Sequence, residues 1–229
     1  MPPTVLNAST HPNSPRVGPI IGLIGGVASG KSRVAQLLTR HGGQHVEADR
    51  LGHRCLEQPD IRKQLIAKFT ADILDAQGRI DRQRLAARVF GDEPTSRGRR
   101  EALEAIVHPC ISELARAAIE QHRQSGESGP LVLDAPLLLE VGWDRLCDWV
   151  LLVDTPAQRR LQWATQRGWS EAEWKRREAS QWSLDRKRAA ATHCIRNDGS
   201  VETLADQVDA LLASWPNWRS STPQPPPPA

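Results

Sequence analysis

Apolar positions fall in short runs separated by longer amphipathic stretches. Residues 20–24 (IIGLI) form an apolar run bounded by glycine and predict a buried strand. Over 31–40, Val34, Leu37 and Leu38 lie at helical spacing, and His41-Gly42-Gly43 closes that helix. Residues 45–48 predict a second strand. Residues 131–133 and 150–153 predict two more, each ending in Asp, and Cys194-Ile195 seeds a fifth. Residues 201–212 predict a closing helix. Strands alternating with helices predict an α/β fold, a parallel sheet flanked by helices.

Two stretches break the alternation. Residues 58–124 carry helical periods and no good strand, which predicts a helical insertion at one edge of the sheet. Residues 157–191 are helical and very polar, and Ser170 followed by Glu173 makes a capping box there. Ten of the 17 prolines lie in the first 19 and last 11 residues, so both ends are expected to be disordered. The resulting plan is an extension at 1–18, one body at 19–218 and a proline-rich tail at 219–229. The tail reads as solvated rather than as an SH3-type ligand.

Composition narrows the function. The net charge is only +3, too small to argue for a nucleic-acid partner. No run approaches 18 apolar residues, and the start lacks a basic and apolar leader, so no membrane contact is expected and the default is cytoplasmic. The four cysteines (Cys55, Cys110, Cys147, Cys194) form no CxxC pair, so neither a zinc site nor a disulfide framework is expected.

The strongest chemical signal is Gly25-Gly26-Val27-Ala28-Ser29-Gly30-Lys31-Ser32, a full G-x-x-x-x-G-K-[ST] motif between a strand and a helix. A triphosphate is a dense anion. Successive backbone N–H groups and a helix N-terminus supply fixed positive dipoles for it. Lys31 would reach the β- and γ-phosphates of ATP, and Ser32 would offer its hydroxyl to Mg²⁺. The guanine-reading Asn-Lys-x-Asp and the Leu-Ser-Gly-Gly-Gln of transport ATPases are both absent. A small-molecule kinase fits better than a nucleotide switch, with other acceptors such as nucleosides or sugars left open.

In a parallel sheet, ligands bind at the carboxyl ends of strands. Three acids fall there: Asp49, Asp134 and Asp154. If its strand neighbours the P-loop strand, Asp49 faces the γ-phosphate as a general base. Otherwise it caps a helix beginning near Arg50, and spacing weighs the two equally. Asp134 ends a Walker-B-like run and reads either as a Mg²⁺ acid or as a turn acid before Pro136. Asp154 precedes Thr155-Pro156, which favours a helix cap. Taken alone, His108 before Pro109 marks a turn before a helix.

The ordered set Leu23-Ile24-Gly25-Gly26, Ala48-Asp49-Arg50, Asp81, Val89-Phe90, Val107-His108-Pro109, Pro136-Leu137-Leu138-Leu139-Glu140 and Asn197-Asp198-Gly199 resembles the dephospho-CoA kinases over residues 20–212. The resemblance implies a nucleotide core, a helical CoA-binding insertion and a lid. It implies phosphorylation of the ribose 3′-hydroxyl of dephospho-CoA by ATP, with Lys31 and Ser32 keeping their phosphate and Mg²⁺ roles; a monomer or weak homo-oligomer is expected. Carried over, Asp49 is the general base and Arg167 a lid arginine. His108, Pro136, Leu137 and Glu140 line the acceptor side, and Asn197 sits by the adenine. The chain departs from the family pattern at Ile24 (usually Thr), Glu47 (usually Asp) and Trp163 (usually Arg). All eight Trp lie between 143 and 218, and four of them (Trp163, Trp169, Trp174 and Trp182) are interleaved in the lid with arginines; this segment reads mostly as a solvated, aromatic-packed helix pair.

Overall fold

The computed structural model describes residues 17–90 and 96–215. Five parallel strands, β1 (Ile20–Gly25), β2 (Gln44–Glu47), β3 (Leu131–Asp134), β4 (Trp149–Asp154) and β5 (His193–Arg196), form one sheet in the order β2-β3-β1-β4-β5. Period-2 alternation divides β1 between two cores. Ile21 and Leu23 pack with Leu151 and Val153 beneath α1 (Lys31–Thr39) and α9 (Val201–Ala213). Ile20 and Ile24 pack with Leu131, Leu133 and Leu152 on the opposite face. The buried Ile24, where the family pattern has Thr, adds apolar area to that second core.

The remaining helices are α2 (Ala48–Leu56), α3 (Pro59–Phe69), α4 (Arg82–Val89), α5 (Ser96–Ser125), α6 (Ala157–Gln166), α7 (Glu171–Ala179) and α8 (Leu184–Ala190). Helices α2 to α5 enclose a third core containing Ile61, Leu65, Phe69, Leu85 and Val107. The insertion is helical, with one isolated antiparallel bridge, Leu74 to Ile80. Asp81 caps α4 by accepting from the backbone N–H of Gln83 and Arg84. Residues 157–191 form three helices rather than a pair. Ser170 caps α7 by accepting from the N–H of Glu173, 3.1 Å away.

Several expectations are corrected. Pro109 lies inside α5 rather than after a turn; its neighbours Val107 and Cys110 are buried in the third core, which holds the helix together through the missing N–H. Asp154 caps nothing, since α6 starts after Pro156 without a side-chain cap; its carboxylate accepts from Arg188 on α8 at 3.0 Å. Cys55 on α2 and Cys110 on α5 form a disulfide with Cα atoms 6.0 Å apart, against the expectation of none. They are 55 residues apart in sequence, and only the packing of the two helices brings them together. Gly18, assigned to the disordered extension, is buried; its N–H donates to the Glu127 carbonyl and its carbonyl meets His122. The proline-rich tail and most of the N-terminal extension lie outside the described residues.

Candidate active site

The phosphate loop leaves β1 at Gly25 and enters α1 at Lys31. Ala28 (φ 61°) and Gly30 (φ 87°) are left-handed, which curls the backbone into the kind of turn that can present N–H groups to an anion, and the Ser29 N–H closes it on the Gly26 carbonyl at 3.2 Å. The loop is braced from behind. The Ser29 carbonyl accepts from Thr155 Oγ1 at 2.8 Å and from Asn197 Nδ2 at 2.9 Å. The buried Ser29 hydroxyl has no hydrogen-bond partner among the described residues.

The lid helices dock directly on this loop. Trp174 Nε1 on α7 donates to the Val27 carbonyl, and Glu178 accepts the Val27 N–H at 3.1 Å. Glu178 also takes two bonds from the buried Arg160 on α6, at 2.6 and 2.7 Å. A methyl group on Gly26 would collide with the Arg160 guanidinium, so glycine there permits the approach. Buried Lys187 on α8 donates to the Gly25 carbonyl at 3.0 Å and to Gln181 at 2.6 Å.

Burial pushes the pKa of Lys31 below the usual lysine value, and the carboxylates of Asp134 and Glu178 partly offset this. Burial also lowers Lys187, to about 8, with the nearby Lys31 charge acting in the same direction. Arg167, exposed just past the end of α6, is near enough for its charge to depress Lys31 as well.

Two cavities bear on the predicted site residues, and one of them includes the end of the loop. One, of about 670 Å³, runs from Gly30 and Ser32 along Trp163 and Arg167 to Asn197 and Leu204. Asn197 lines it, although its amide nitrogen is committed to Ser29. The other, of about 170 Å³, lies at the ends of β2 and β3 and gathers Asp49, His108, Pro136 and Leu137, residues far apart in the chain. Ile111, Val141 and Trp143 make its walls mostly apolar.

Asp49 is exposed, in the first turn of α2. The helix cap is Glu47, so Asp49 is not a cap. Nor is its strand next to the P-loop strand, since β3 lies between them. Glu140 does not line the second cavity; it accepts the Trp182 N–H at 2.7 Å. Glu47, where the family pattern has Asp, pairs with Arg50 at 3.0 Å. Sequence reasoning missed Arg160, Glu178 and Lys187 as loop contacts. A lysine and an arginine in polar helices look solvated until the packing is known.

The family model described as dephospho-CoA kinase matches residues 19–203. The chain belongs to the dephospho-CoA kinase family. A dephospho-CoA kinase from Rhodopirellula baltica is 39% identical over 197 residues, 86% of this chain and 90% of that protein. One from Symbiobacterium thermophilum is also 39% identical, covering 88% of this chain and 81% of its own length. A crystal structure from Thermus thermophilus (TT1252) has 34% identity and a TM-score of 0.71, covering 88% of this chain and all of that one. Dephospho-CoA kinase from Campylobacter jejuni superposes with a TM-score of 0.57 at 21% identity, over 86% of this chain and 96% of that one, and shares the fold. The kinase family implies ATP as the phosphoryl donor. Among the described residues no helix is long and apolar enough to cross a membrane.

Proposed function

We propose that this chain transfers the γ-phosphoryl group of ATP to the ribose 3′-hydroxyl of dephospho-CoA, giving CoA and ADP. The observation that carries the reading is the pair of cavities: one beside Gly30 and Ser32, the other holding Asp49 at the mouth of an apolar chamber. The first takes the nucleotide, with its phosphates along Gly25, Gly26, Val27, Ala28, Ser29, Gly30, Lys31 and Ser32 and its adenine towards Asn197. The second takes the acceptor between Asp49, His108, Pro136 and Leu137.

Asp49 accepts the proton of the 3′-hydroxyl as its oxygen bonds to the γ-phosphorus and the bond to the β-phosphate oxygen breaks. Lys31 and Arg167 neutralise charge on the transferring group and on the departing ADP. Docking of α6 to α8 excludes water that would otherwise take the phosphoryl group. Glu140 supports the acceptor side indirectly, by fixing the backbone before α8. In this reading α3 to α5 form the CoA-binding insertion (about 58–124), α6 to α8 the lid (about 157–191), and the whole a kinase body at 19–218.

Mg²⁺ fits the residues present. The Ser32 hydroxyl and the Asp134 carboxylate are hard oxygen donors, and this ion takes few protein ligands beside phosphate and water. Among the described residues no cluster of three or more His, Cys, Asp or Glu marks a metal site. When bound it would draw charge from the β- and γ-phosphates. We place the protein in the cytoplasm, as a monomer or weak homo-oligomer with no nucleic-acid partner.

The test is Asp49→Asn with Mg-ATP and dephospho-CoA. Turnover should fall by about 10²-fold or more while ATP affinity stays within about twofold. Near-normal turnover removes Asp49 from the reaction. Turnover by the unaltered protein with a nucleoside or sugar, but not with dephospho-CoA, assigns it a different acceptor.

A further inference from the structure

Trp163 stands where the family pattern has arginine, and the structure sets it in the wall of the larger cavity. Its ring edge lies close to Gly30, since a methyl group on that glycine would be 3.6 Å from Trp163 Cζ3. The Arg159 guanidinium is 5.6 Å from the ring centroid, and Arg159 is itself anchored to the Gly199 carbonyl at 3.2 Å. The indole is therefore held between a fixed cation and the turn that begins α1. It is half-buried, leaving part of the ring facing the cavity.

Two of the hydrogen-bonding groups beside the indole are already committed. Asn197 Nδ2 is bonded to Ser29, and Arg159 to Gly199. Beside the polar side chains of Gln36, Gln162, Gln166 and Arg167, the cavity offers a planar heterocycle an aromatic surface, close to the turn that begins α1. We propose that Trp163 binds the nucleobase of the phosphoryl donor by stacking, so that the site recognises a purine ring more than its edge. This rests on the reading of the larger cavity as the donor site. Base–aromatic stacking tolerates different exocyclic groups because every base has a π-face. A cation against the indole adds to the same clamp.

The alternative role for Trp163 is packing, since it lies against the Val27, Ala28, Ala164 and Trp174 cluster. The experiment separates the two by titrating the full chain, without acceptor, with Mg-ATP, Mg-GTP and magnesium tripolyphosphate, which has the anion but no base. Stacking predicts that ATP binds at least about tenfold more tightly than tripolyphosphate, and GTP within about tenfold of ATP. Trp163→Ala should weaken ATP by about tenfold or more and leave tripolyphosphate unchanged. Trp163→Phe, which keeps an aromatic face, should retain most of the ATP affinity.

Equal weakening of ATP and tripolyphosphate in Trp163→Ala would mean loop damage and overturn the proposal, as would unchanged ATP affinity. GTP more than about 100-fold weaker than ATP would show edge recognition and overturn it too. Because acceptor is absent, a protein that passes these titrations yet fails to phosphorylate dephospho-CoA would refute the functional reading and leave this inference standing.

Discussion

Glu178→Gln tests how the lid is fastened to the phosphate loop. The Glu178 carboxylate holds three hydrogen bonds, two from Arg160 and one from the Val27 N–H. The Arg160 side chain is 6% exposed and that of Glu178 is 29% exposed. The amide keeps the shape and one acceptor oxygen but leaves a buried guanidinium without its counter-charge. Breaking one side of a fully buried pair costs about 3–5 kcal/mol. Water reaches Glu178, so about 2–3 kcal/mol is the expected loss here. For a domain near 200 residues this lowers the melting temperature by about 5–10 °C. Thermal unfolding of Glu178→Gln, Arg160→Met and the double variant, at one pH and salt concentration, reads both the loss and the coupling. The double variant should fall short of the sum of the singles by about 1–3 kcal/mol. A shift below about 2 °C in Glu178→Gln, or strict additivity, would refute the view that this pair clamps α6 and α7 to the loop.

Two further outcomes follow from buried groups. Lys187 has a pKa of about 8 in the folded protein against 10.5 for an ordinary lysine, so between these values the unfolded chain binds the extra proton and stability rises with pH. Relative to Lys187→Met, the unaltered protein should gain up to about 3 kcal/mol between pH 7.5 and 10.5 in denaturant titrations, and a flat or falling difference contradicts the burial argument. With the Cys55–Cys110 bond intact, a thiol reagent at pH 8 should find exposed Cys194 quickly. Cys147, whose thiol burial pushes up to about 12, should react only on unfolding; four thiols reacting in the unreduced, denatured chain would show that the disulfide is not formed.

The elements that the sequence made legible are those whose pattern is local. The run IIGLI, the glycine loop and the periodic Val34, Leu37 and Leu38 predict β1, the loop and α1 to within a residue or two, because each depends on neighbours in the chain. What escaped depends on contacts between distant segments. Strand order was not accessible, so the premise that the strand before Asp49 adjoins β1 failed, although Asp49 still reaches a cavity with His108 and Pro136. The Cys55–Cys110 pair was invisible for the same reason. Pro109 misled because a proline ordinarily ends a helix, whereas α5 is long and packed enough to run through it. Arg160 and Lys187 read as solvated charges, and only the docking of α6 and α8 reveals them as buried partners of the loop.

The central claim is that the loop and Asp49 serve one acceptor, the 3′-hydroxyl of dephospho-CoA. The most direct measurement is ³¹P NMR of the product formed from ATP and dephospho-CoA, with ADP followed in parallel. The account predicts a new phosphomonoester on the ribose 3′-oxygen, formed in equal amount to ADP, and little ADP without the acceptor. ADP appearing at the same rate with and without dephospho-CoA, or a phosphate carried at any other position, would contradict it.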